Sequence, residues 1–200
     1  MPMNKKKLQS EQTKKKLADA ARMLFSTKGY KGTSIEDIVA ATGSSKGNIY
    51  YHFQSKEGLF QYLLEEWDRE WIEQWAAKEH QFTTLKEKMY GLAEQMVVND
   101  LNHPLTRATD EFMSSEWERS DVQENAAKFI ASHIEFNRKM LQEAMDKGEL
   151  AEDNVQMLAV VLESLLIGLA ETSKRSASGE TLELYRKALD VFLDGTVKRL

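Results

Sequence analysis

The side chains best suited to chemistry crowd into one short stretch, TSIEDIVAATGSSKGNIYYHFQSK, from Thr33 to Lys56. In its second half Ile49 and Phe53 stand four residues apart, as on the inward face of a helix, leaving Lys46, Asn48, Tyr50, Tyr51 and His52 largely outward. Such a set can read a polyanion. An ammonium reaches guanine acceptors or phosphate, a phenol donates to phosphate, and a tyrosine ring packs on a thymine methyl. Lys46 falls in the first turn, the end of a recognition helix that enters the major groove deepest. Tyr50, three residues after Gly47, could equally pack against the preceding helix, which leaves one tyrosine of the pair half-buried.

Positioning this face takes two short helices and a tight turn. Thr33 can cap the first, with Glu36 three residues on completing a capping box, and Ile35, Ile38 and Val39 form its apolar side. Gly43 supplies a position where positive φ costs little, and Ser44 or Ser45 can cap the second helix. The pattern is a helix-turn-helix. Charge agrees with it: residues 1–60 hold eleven Lys or Arg against five Asp or Glu, a net +6, so the chain's overall −5 leaves −11 for residues 61–200. Only the first part suits DNA. The Lys triplets at 5–7 and 14–16 are either an arm along the DNA backbone or solvated charge.

The segment from Leu17 through Lys56 resembles the DNA-binding domain of TetR-family repressors, in the Gly-Tyr before the first motif helix, Gly43, the Lys-Gly pair, Tyr50, His52-Phe53 and Lys56. Within that family SSKGNIYYHF, KEGLF, Trp71, Trp75 and Pro104 are most similar to the QacR-like multidrug-binding repressors. The resemblance implies that Thr33, Ser34, Ser44, Ser45, Tyr51, His52 and Lys56 hold phosphates. A hydroxyl beside the free N–H groups of a helix start is an anion site, and Lys56 opens the next helix in that position. For Thr33 and Ser45 simple capping is an equal reading, and the two roles can coexist.

Trp67, Trp71 and Trp75 recur every four residues, along one stripe of a helix. A stripe of this kind packs a core or lines a ligand cavity, and the family resemblance implies an inducer site here. Met89, Met96, Phe112, Met113, Trp117, Phe129, Phe136 and Met140 add adaptable apolar surface. The acids Asp68, Asp100, Glu111 and Glu163 would favour a cationic aromatic effector, while a neutral or acidic lipid-like one stays open. The expected effector contacts are Trp67, Trp71, Met89, Met96, Asp100, Glu111, Phe112, Met113, Trp117, Phe136 and Met140. Two further helical stripes, Val155–Leu169 and Leu182–Leu193, need a partner surface. They either cover their own core or, as the family pattern implies, make a homodimer through Leu166, Leu169, Tyr185, Leu189 and Phe192.

Other chemistries find no support. The four histidines stand apart, no cysteine occurs, and HExxH, Walker and Gly-x-Ser-x-Gly motifs are absent, so neither an enzyme, a metal site nor a cofactor is expected. A helical interaction protein without DNA binding would leave the charge asymmetry unexplained. The N-terminus lacks a signal sequence, and the longest apolar run, Val155–Ala170, is interrupted by Gln156, Glu163 and Ser164, so the chain is expected in the cytoplasm with no membrane partner. With two prolines and ten glycines, an all-α fold follows. Helices are expected near 10–28, 35–42, 45–52, 56–79, 83–101, 105–117, 120–147, 153–175 and 179–198. A three-helix DNA-binding domain, 1–55, would precede an effector and dimer domain, 56–200. The whole reads as a ligand-responsive repressor released from a palindromic operator by a small hydrophobic effector, with double-stranded DNA, effector and a second copy as partners.

Overall fold

A computed structural model describes residues 5–175 and 180–196. The Ser-Ala-Ser-Gly break at 176–179 and the expected last residues of the final helix lie outside the described residues. Among them the chain forms nine α-helices and no strand: α1 (Lys5–Lys28), α2 (Ile35–Thr42), α3 (Lys46–Phe53), α4 (Lys56–Lys78), α5 (Leu85–Gln95), α6 (Thr106–Glu116), α7 (Ser120–Asp146), α8 (Val155–Arg175) and α9 (Thr181–Thr196). The all-α expectation holds. One departure is local: the expected helix 83–101 ends its α-helical part at Gln95 and continues as a π-helical segment, Met96–Asp100.

The chain divides into two compact units, and not at residue 55. The first comprises the described residues through Gln74 together with Pro104–Trp117; the second comprises Trp75–His103 and the chain from Glu118 onward. The division falls inside α4. Most of α4 belongs with the reading helices because Leu59, Phe60 and Leu63 are fully buried in the same core as Leu17, Phe25, Ile38 and Ile49. Helix α6 joins them through Phe112, whose ring meets Tyr30 and Phe60 edge-on or tilted at 5.0 and 4.9 Å; Phe60 in turn meets Phe25 at 4.9 Å. Two carboxylates fasten the same helix. Glu111 Oε2 accepts the Lys31 backbone N–H at 3.0 Å, and a Cβ on Gly29, which sits at φ +78°, would collide with that carboxylate. Glu116 accepts from the Tyr30 hydroxyl at 3.5 Å.

In the second unit α7 packs along α8, and α9 packs on both α5 and α8. The interior is made by Leu92, Met140, Leu141, Leu162, Tyr185 and Leu189, all buried. Trp75 stacks on Phe82 at 5.6 Å, and the Phe82 ring lies over Gly91, where a Cβ would not fit. Helix α8 is long and apolar enough, by length and composition, to cross a membrane, contrary to the expectation from its sequence. It nevertheless buries a carboxylate: Glu163 accepts from Asn137 Nδ2 at 2.9 Å and lies 3.2 Å from His133 Nδ1, so α7 matches its polar atoms.

Candidate nucleic-acid interface

Helix α2 starts at Ile35, as expected, but its cap is a different residue. Ser34, not Thr33, is the cap: its Oγ accepts from Asp37 N at 3.1 Å while Asp37 Oδ2 accepts from Ser34 N at 2.9 Å, closing a capping box with Asp37 in place of Glu36. Lys28 pairs with the same carboxylate at 2.8 Å, and together Lys28 and Ser34 hold Asp37 well below the usual carboxylate range. Thr33 is buried instead, donating to Gly29 O at 2.8 Å. Gly43 then ends α2 in the left-handed region, φ +64°, with its N–H on Val39 O.

Ser45 caps α3 by accepting from Asn48 N at 3.2 Å, and Asn48 Nδ2 donates to Ser44 Oγ at 3.0 Å. Ile49 and Phe53 are buried as expected. Tyr51 is 77% exposed and Tyr50, at 50%, is the half-buried member of the pair, though neither belongs to the core. His52 is partly buried and meets the Tyr51 ring edge-on at 4.9 Å. Lys46 reaches back across the turn to the Glu36 carboxylate. The hydrogen bond raises the lysine's pKa and lowers the glutamate's, so both are charged near neutrality.

Lys56 has a different part from the one its position implies. Its ammonium donates to Tyr30 O at 2.9 Å and Thr33 O at 3.0 Å and lies 4.1 Å from the Tyr30 ring centre, tying the α1–α2 turn to the start of α4. A phosphate there would take the third ammonium proton. The second Lys triplet is likewise structural in part: Lys14 lies over the Tyr62 ring at 4.1 Å, Lys15 pairs with Asp19, and Lys16 donates to Thr42 O at 2.6 Å, closing the C-terminus of α2. Between α1 and α4 an open cleft of about 440 Å³ is lined by Lys14, Lys15, Tyr62 and the Arg22–Glu66–Glu70 cluster.

The residues expected to meet an effector fall in both units. Trp67, Trp71 and Met113 are partly buried and Trp117 is half-exposed in the first; Met89 and Met140 are buried, and Met96, Asp100 and Phe136 partly buried, in the second. Glu111 and Phe112 are the exceptions, being engaged in fastening α6 to the reading unit. The residues expected at the dimer interface are also placed otherwise: Tyr185 and Leu189 are 0% and 1% exposed within one chain, and Leu166, Leu169 and Phe192 no more than 9%. They form the inner faces of α8 and α9. The outer faces carry Met157, Val160 and Val161 on α8 and Leu184 and Val191 on α9, all exposed.

Two capped helices presenting lysine, amide and phenol groups, in the cationic part of an otherwise acidic chain, define a helix-turn-helix transcriptional regulator. Residues 17–63 match the family described as bacterial regulatory proteins, tetR family, and residues 67–198 match the QacR-like protein, C-terminal region. The chain belongs to the TetR family, with a C-terminal region of the QacR-like kind. It is similar to the HTH-type transcriptional regulator QacR of Staphylococcus aureus, 29% identical over 185 residues that cover 92% of this chain and 98% of that protein. It is also similar to the HTH-type transcriptional repressor AcnR of Corynebacterium glutamicum, 28% identical over 194 residues covering 94% and 93%. Among solved structures, a TetR-family regulator from Cytophaga hutchinsonii shares the fold with a TM-score of 0.77 at 20% identity, over 96% of this chain and 98% of that one.

Proposed function

We propose that the protein is a homodimeric repressor that occupies a two-fold symmetric operator through α3 and the start of α2 and is released by a small hydrophobic effector. The observation that carries the reading is the outward face of α3, where Lys46, Tyr50 and Tyr51 are exposed on a helix whose inward residues are buried. Ser34 and Ser45 already serve as caps, and their helix starts leave backbone N–H groups for phosphate.

Dimerisation is assigned to the outer faces of α8 and α9. Met157, Val160, Val161, Leu184 and Val191 repeat at helical spacing, and Ser164 and Gly168 between them are small enough for close approach. A second copy, rather than lipid, accounts for an apolar α8 whose opposite side buries Glu163.

For the effector, Trp67 and Trp71 on α4 are the leading contacts. Helix α4 begins at Lys56, which grips the reading helices, and carries Trp67 and Trp71 roughly three to four turns further on. Displacing those indoles would therefore move the anchor of α2. A thermal-shift panel of cationic dyes, fatty acyl compounds and small aromatics, paired with release of bound fluorescent duplex DNA, tests this directly. A compound that raises the melting temperature is expected to weaken DNA binding. If every stabilising compound leaves DNA affinity unchanged, the protein is not ligand-responsive in this way.

A further inference from the structure

We infer that Glu36 is a specificity-determining residue: it holds Lys46 away from phosphate, and only a base acceptor in the correct sequence displaces it. The inference rests on the reading of α3 as the recognition helix.

Three observations converge. The capping box at the start of α2 uses Asp37, so it does not require the neighbouring Glu36 carboxylate. That carboxylate, on a side chain 65% exposed, instead pairs with Lys46, ten residues on and across the turn, in the first turn of α3. Asp37 has Lys28 as its cation. The negative charge thus stands within the first sixty residues, where basic side chains outnumber acidic ones, on the lysine best placed to touch DNA.

A lysine free in solution gains from any duplex, because neutralising a phosphate releases counterions whatever the sequence. A lysine already paired gains less, since a carboxylate must be given up and a negative charge is brought toward the backbone. On a matched site the guanine O6 and N7 acceptors can replace the carboxylate. On mismatched DNA nothing does. Specificity is a difference of affinities, and this pair lowers the unwanted one.

The test is a double-mutant cycle with the full chain: parent, Glu36→Gln, Lys46→Ala and the double variant. Each is titrated against a fluorescent mixed-sequence duplex and against duplexes enriched by the parent from a randomised pool. Circular dichroism should show all four folded alike, as both side chains are exposed. Exposed ion pairs are weak, so Glu36→Gln should tighten mixed-sequence binding by about two- to fivefold at low salt. It should steepen the logarithmic salt dependence by about one unit, as one more phosphate contact does, and narrow the ratio between enriched and mixed duplexes. In the Lys46→Ala background the same change should do little. An equal gain with and without Lys46 would reduce Glu36 to general repulsion and overturn the inference. So would a Glu36→Gln loss confined to the enriched duplexes, which would make Glu36 itself a base contact. If the parent binds neither duplex, it is the recognition-helix reading that fails.

Discussion

Lys46 and Lys56 are ten residues apart and equally attractive to phosphate in the sequence, yet the fold uses them oppositely. Lys56 satisfies two buried-side carbonyls and a ring face, whereas Lys46 pairs with another exposed side chain, Glu36. Lys56→Met should therefore cost about 1–3 kcal/mol of stability, the scale for leaving partly buried carbonyls unpaired, visible as a lower denaturant midpoint. Lys46→Ala should leave that midpoint in place and weaken binding to enriched duplex DNA by about 1–3 kcal/mol, if Lys46 reads a base. Equal destabilisation by the two substitutions would refute the division. The inward pattern of Ile49 and Phe53 was legible because burial follows helical periodicity. The role of Lys56 was not, because its partners are main-chain oxygens at residues 30 and 33, which no spacing rule marks.

At the scale of elements, the helices themselves were largely readable: the glycines, prolines and apolar periods place all nine to within a few residues, apart from the early start of α1 and the π-helical end of the α5 stretch. Which element serves which unit was not. Helix α6 looks from its sequence like part of the effector domain, and its assignment to the reading unit depends on long-range contacts of Glu111, Phe112 and Glu116. Phe112→Ala should cost about 3–5 kcal/mol, the range for emptying an aromatic core site, and should lower DNA affinity through loss of the folded reading unit. The cap of α2 makes a smaller and more specific claim. Ser34→Ala should cost about 1 kcal/mol. Because Asp37 is held below its ordinary value of 3.8, its share of that stability is complete above this value and disappears as the pH falls through the lower folded one. The cost measured by chemical denaturation should then be constant between about pH 5 and 8 and shrink in stronger acid; a cost that changes near neutrality would implicate another group.

At the scale of the whole molecule, the sequence showed two amphipathic helices at the C-terminal end but not which stripe faces out. The stronger stripes, containing Leu166, Tyr185 and Leu189, are inner faces, since the interior of a unit takes the largest apolar side chains first. The outer stripe is weaker in sequence and is the one the proposed dimer would use. Val161→Glu and Val191→Glu should each shift the protein to monomer in sedimentation at micromolar concentration while retaining helicity. Leu189→Ala should instead destabilise the chain by about 2–5 kcal/mol. A dimer that survives both glutamates would put the interface elsewhere. A dimer of reading units can engage only sites of matching symmetry, with half-sites about 34–36 Å or a multiple apart. In vitro selection from a randomised duplex pool measures that requirement directly. The account predicts enriched sequences with two inverted half-sites at such spacing, lost when Lys46 is replaced by alanine; enrichment of asymmetric or single sites, or none at all, would contradict it.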